Sequence, residues 1–261
     1  MAFALFATLP VSAQTRATIS DRNGHPFRTP AISPSETLLQ FAPVRVSRAG
    51  RSRLRLLAEL GDRLGFWIHH RPEGDFELAG AIHARVASRF DLDESQNEFV
   101  EAHYRVGTYL RARYKRVAAR FELYHVSSHL GDEFLVRTNR EPIETSREGI
   151  ELLLQGAPLP NLMVYGGPGL LVRSTRGFDR ASARFGAEWE RLGGPFARPY
   201  VGVDGLVWSE LDWDAQIAME AGIALGKSAR AGFTVGFGPS RAEQFFREHE
   251  TLWGLSLSFV R

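Results

Sequence analysis

Apolar and charged residues alternate with period two along most of this chain, and the alternating runs are long. From Phe76 to Phe90 the even positions read Phe76, Leu78, Gly80, Ile82, Ala84, Val86, Ser88 and Phe90, while the odd ones include Glu77, His83, Arg85 and Arg89. The next segment sets Val100, Ala102, Tyr104, Val106, Leu110 and Tyr114 against Glu101, His103, Arg105, Arg111 and Arg113. Later stretches keep the habit, with Ala181, Ala183, Phe185, Ala187 and Trp189 on one side and Arg184, Glu188 and Glu190 on the other. A fourth sets Ile217, Met219, Ala221, Ile223 and Leu225 against Gln216 and Glu220. Period two puts each set on one face of an extended strand, and helical spacing fits none of these runs. The first two are roughly twice the length of an ordinary soluble strand.

Such long apolar faces need an apolar environment. No run of 18 or more apolar residues exists in the sequence, which excludes a spanning helix but not a spanning β-barrel, whose hydrophobicity is spread over alternate residues. A soluble sandwich alternates as well, and three details favour the membrane. Several apolar faces end on aromatic residues, at Phe90, Tyr114, Trp189 and Trp253, as interfacial girdles require. Short turns near 114–117, 157–161 and 226–230 interleave with longer polar links near 91–98, 131–148 and 239–250. The chain closes on Trp253, Leu255, Leu257 and Phe259 separated by small residues. That ending resembles the carboxy-terminal insertion signal of Gram-negative outer-membrane barrels, with Val260 and Arg261 overhanging. The expected fold is all-β, a transmembrane antiparallel up-and-down barrel of about 12 strands, 10 being the alternative, because single-chain bacterial barrels take even numbers. Ten strands are placed from Phe76 onward, and 53–60 and 64–70, flanking Gly61-Asp62, supply two more.

Three regions follow. Residues 1–13 read as a signal-peptide remnant, with Val11-Ser12-Ala13 as the small-x-small cleavage pattern and Gln14 as the first mature residue. Residues 14–51 read as a polar leader or plug broken by Pro26, Pro30, Pro34 and Pro43. Residues 52–261 form the barrel. Absence of cysteine excludes disulfides, thiolate metal sites and cysteine nucleophiles. Of 32 basic residues only Lys115 and Lys227 are lysine. The arginines are interleaved with acids and alternate with apolar residues, so no basic face for nucleic acid exists.

One segment stands apart, Tyr124-His125-Val126-Ser127-Ser128-His129-Leu130-Gly131-Asp132-Glu133. Its parity continues that of Phe121 and Leu123, so His125, Ser127 and His129 are expected to face lipid, while Glu122, Tyr124 and Ser128 face inward. Residues two apart on a strand point the same way about 7 Å apart in rise, close enough for an imidazole to activate a hydroxyl, with a polar group on the neighbouring strand to orient it. The plainer reading makes these polar residues girdle positions that meet headgroups or pin the following loop. The string resembles that of domain-of-unknown-function family 1207, described as outer-membrane barrels, and this implies location and fold without an activity. A narrower resemblance is to outer-membrane phospholipase A, which carries a His-x-Ser pair on the lipid face of a twelve-stranded barrel. It implies Ser127 as nucleophile, His125 as base and Asn139, followed by Arg140, as the orienting position, with Asp132 matching an acidic one. The lipid A deacylases share the His-x-Ser part and use an acid as third member. This chain departs from the phospholipase at Ser128 and His129. A separate reading gives Asp132 and Glu133 a bound Ca2+ without catalysis; otherwise no cofactor is expected.

The function expected is therefore an integral outer-membrane barrel of structural or envelope-associated role. A lipid acyl hydrolase using His125 and Ser127 is the alternative, and a narrow channel is the third reading. The expected partners are outer-membrane lipid, the barrel-assembly machinery during biogenesis, and a second copy in a homodimer.

Overall fold

The computed structural model describes residues 39–259 apart from 71–75, 95, 176, 178, 192–195 and 227. The signal-peptide remnant and most of the leader lie outside these residues. Twelve strands close an antiparallel barrel in chain order, the first pairing with the last. They are β1 (Leu39–Arg48), β2 (Arg51–His70), β3 (Phe76–Asp91), β4 (Glu98–Tyr114), β5 (Val117–Leu130) and β6 (Arg147–Leu159). The second half holds β7 (Leu162–Ser174), β8 (Ala181–Glu190), β9 (Ala197–Trp208), β10 (Ala215–Leu225), β11 (Ala229–Pro239) and β12 (His249–Phe259). One short helix, α1 (Asp132–Thr138), interrupts the longest connection, between β5 and β6.

The count of twelve agrees with the alternation, but two strands differ from expectation. The segment split at Gly61-Asp62 is one strand of 20 residues, β2, in which Gly61 stays paired to Arg85 of β3. The missing strand is β1, inside the expected leader. Its pattern is inverted: Ala42, Val44 and Val46 are buried in the interior against Leu57 and Leu252, while Arg45 points outward. Its proline is tolerated because the ladder to β12 is interrupted at Pro43.

Elsewhere the faces divide as the periodicity requires except at bulges, one of which turns Val100 inward under the loop cover. Leu110, Phe121, Leu123, Leu154, Met219, Ile223 and Trp253 are exposed on the outer wall, which a lipid environment would cover. The inner wall is polar, and its charges pair across the lumen. Arg89 donates to both carboxylate oxygens of Glu250 at 3.0 and 2.9 Å, and Arg48 reaches the same carboxylate at 2.5 Å. Arg230 bridges Glu188 and Glu190 at 2.9 and 2.7 Å. Arg184 and Arg241 meet Asp204, which also accepts a hydrogen bond from Tyr165 at 2.7 Å. A filled interior of this kind suits a small barrel.

The rim with the longest connections is covered. Phe134 of α1 packs with Val100, Leu130, Ala242 and Phe245, its ring set edge-on to that of Phe245 with centroids 5.9 Å apart. Gln244, fully buried, ties the two loops together. Its side-chain amide donates to Ser128 Oγ at 2.7 Å and to the Ile143 carbonyl at 2.8 Å, and its Oε1 accepts from the Ile143 N–H at 2.8 Å. Its own N–H donates to Glu101 at 3.0 Å. Beneath this cover lies a cavity of about 180 Å³.

Candidate active site

A tight two-residue turn on one side and strand pairing across the longest connection on the other decide what stands beside His125. The β4–β5 turn at Lys115-Arg116, with Lys115 at φ 53°, sets Tyr114 opposite Val117 and so His125 opposite Val106. On the other side His125 pairs with Glu148 of β6. His125, Ser127 and Glu148 all lie on the outer wall, since their chain neighbours Val126, Ser128 and Arg147 are buried in the interior. The expected parity holds throughout: Glu122 and Ser128 face inward, and Glu122 accepts from Arg105 at 2.7 Å.

Glu148 Oε1 stands 3.9 Å from His125 Nδ1, and both side chains are nearly half exposed. This leaves Nε2, the other ring nitrogen, for a hydroxyl or a substrate. No hydrogen bond joins His125 to Ser127 among the described residues, a bond that commonly tightens only when substrate is engaged. Ser127 is flanked by Tyr104 on β4, and the Tyr104 ring lies edge-on to His129 with centroids 6.1 Å apart. Directly behind Ser127, Ser128 bonds to Thr145 and to Gln244. The end of β5 is therefore fixed from inside by the loop cover.

The other expected site residues lie elsewhere. Asn139 is exposed, caps α1 with φ 50° and a backbone N–H bond to the Leu135 carbonyl, and its side chain makes no hydrogen bond among the described residues. Arg140 turns toward the loop cover, where it meets Glu248 and the Gln244 carbonyl. The position beside His125 that the resemblance gave to Asn139 is held by Glu148. Asp132 and Glu133 are exposed in the first turn of α1, and among the described residues no group of three metal-ligating side chains forms.

Below the His125–Glu148 pair the outer wall is indented by a groove of about 840 Å³, lined by Leu64, Ile82, Val106, Leu123, Ile150 and Val172. His125 and Glu148 stand at its edge. The glycine-rich Tyr165–Gly169 segment runs within β7, where a Cβ on Gly167 would lie 1.8 Å from the Leu152 carbonyl oxygen. It lets two strands approach.

Two solved structures with similar folds are outer membrane phospholipase A from Escherichia coli and the outer membrane phospholipase dimer with bound calcium from Salmonella typhi. The first has a TM-score of 0.63 and 14% identity over 92% of this chain and 94% of that one. The second has a TM-score of 0.64 and 14% identity over 91% and 94%. At this identity the likeness concerns the fold. No curated protein matches the chain. Residues 58–260, however, match one family from within β2 to the end of β12, and the chain belongs to that family, described as Protein of unknown function (DUF1207).

Proposed function

We propose that this barrel resides in the bacterial outer membrane and hydrolyses lipid acyl esters at its outer wall, with Ser127 as nucleophile, His125 as general base and Glu148 as the orienting acid. The observation that carries this reading is the placement of Glu148. An ionisable pair on a lipid-facing wall is costly, by about 2–4 kcal/mol for a cation at mid-membrane and less for an acid or near the rim, so its presence there calls for a role. The carboxylate facing Nδ1 would hold that nitrogen protonated and leave Nε2 to take the Ser127 proton. Ser127 Oγ then attacks the ester carbonyl carbon, and His125 returns the proton to the departing alkoxide. Water, activated by the same imidazole, releases the fatty acid and restores Ser127. The apolar groove offers an acyl chain a place to lie while its ester reaches the pair.

The channel reading has little support, because the lumen is crossed by ion pairs and its loop-bearing rim is covered. A homodimer and a bound Ca2+ enter as expectations carried from the calcium-bound phospholipase dimer whose fold this chain shares. Labelling by a long-chain alkyl fluorophosphonate tests the nucleophile, since attack by Ser127 Oγ expels fluoride and leaves a stable phosphonyl adduct. The folded protein is expected to carry the adduct on Ser127 and to lose it in His125→Ala. No labelling of folded wild-type protein in mixed micelles with Ca2+ would sink the proposal.

A further inference from the structure

A β-bulge in β7 changes the face that one arginine occupies. Glu148 and Gly149 of β6 stand opposite Arg173 and Leu171, so Val172 is the extra residue. Leu171 is buried on the inner side. Strict alternation would send Arg173 the same way, but the bulge turns it outward beside Glu148, with 79% of its side chain exposed. Among the described residues, the outward positions of β3 to β7 carry no other arginine. Among the described residues its ion-pair partner is Glu148 at 3.8 Å, longer than a hydrogen bond, and that carboxylate is shared with His125 at 3.9 Å. The guanidinium therefore keeps open donors next in sequence to Val172, which lines the groove together with Glu148 and, on the far side, Arg63 of β2.

A guanidinium fork matches a phosphate and is poorly placed against acyl chains alone. Arg173 lies two strands from His125, about 10 Å along the wall, and its side chain spans much of that gap. A lipid whose ester sits at Ser127 and whose chain lies in the groove would bring its headgroup phosphate within reach. We infer that Arg173 binds the phosphate of a membrane lipid and makes the site selective for phosphate-bearing over neutral acyl esters. The catalytic consequence rests on the hydrolase reading, whereas the binding does not.

Native mass spectrometry of the full chain in neutral detergent, titrated with a diacyl phosphatidylglycerol or with the matching diacylglycerol, reads binding without turnover. Arg173→Gln is expected to weaken phosphatidylglycerol binding about tenfold, as loss of one charge-assisted contact does, and to leave diacylglycerol binding unchanged. Arg173→Lys should recover part of the loss. Inorganic phosphate in the millimolar range should not displace the lipid, since the groove supplies the rest of the affinity. In hydrolysis the Gln variant should raise KM for phosphatidylglycerol about tenfold and leave KM for a neutral monoacyl ester unchanged. An unchanged phosphatidylglycerol affinity, an equal effect on both lipids, as a residue merely supporting Glu148 would give, or displacement by free phosphate overturns the inference. Selective loss of binding in a protein that hydrolyses neither lipid would uphold Arg173 and remove the hydrolase reading.

Discussion

Glu148 is the residue on which the proposed chemistry turns. If it orients the imidazole and offsets the charge that forms on it, Glu148→Ala should lower kcat by about 10²–10⁴-fold with little change in KM, and Glu148→Gln should fall between. Asn139→Ala should leave kcat unchanged, because Asn139 caps a helix in the exposed loop. Fatty-acid release measured on these variants side by side checks both; equal loss at the two positions would contradict the assignment. His125 and Ser127 were legible in the sequence because parity along one strand is a local property. Glu148 was not, because its position depends on the β5–β6 register, and those strands are joined by the longest connection. A two-residue turn fixes register and a loop of that length does not. Asn139, within that longest connection, is instead exposed at the end of α1.

At the level of elements, the end of β5 and the loop cover act as one unit. The Gln244 side chain bonds to Ser128 and to both the carbonyl and the N–H of Ile143, so truncating it strands several buried polar groups at about 1–3 kcal/mol each, while its backbone bond to Glu101 survives. Gln244→Ala is expected to speed amide exchange in 131–146 and 240–248 by tenfold or more while β8 to β10 keep their protection. Unchanged exchange in the two loops would show that the cover is held by something else. The strand faces from β3 onward were readable because, Glu148 and Arg173 apart, their apolar residues point out and their charges point in. The first strand was hidden for the opposite reason: β1 buries Ala42, Val44 and Val46, exposes Arg45 and contains Pro43. Such a segment looks like polar leader until closure of the barrel demands a partner for β12.

The whole molecule is a closed barrel with ion pairs across its lumen, and the proposed chemistry lies on its outer wall. Glu250 joins Arg48 and Arg89 inside it, so Glu250→Ala removes their shared carboxylate and leaves Arg89 only Glu101 at 3.8 Å and Arg48 only Glu248 at 3.3 Å among the described residues. A buried pair broken in this way costs about 3–5 kcal/mol, and the temperature at which the folded band is lost on gels should drop clearly below that of wild type. Planar bilayers containing the wild-type barrel should show no stepwise conductance, and regular steps would reinstate the channel. The period-two pattern announced the barrel and its inside-out polarity, whereas the ion-pair partners across the lumen emerge only when twelve strands close. The most direct test of the proposed activity is release of fatty acid from phospholipid micelles by folded protein with Ca2+, wild type beside Ser127→Ala at equal folded fraction. The expected result is release by the wild type and none above background by the variant. No release by the wild type, or equal release by both, would contradict it.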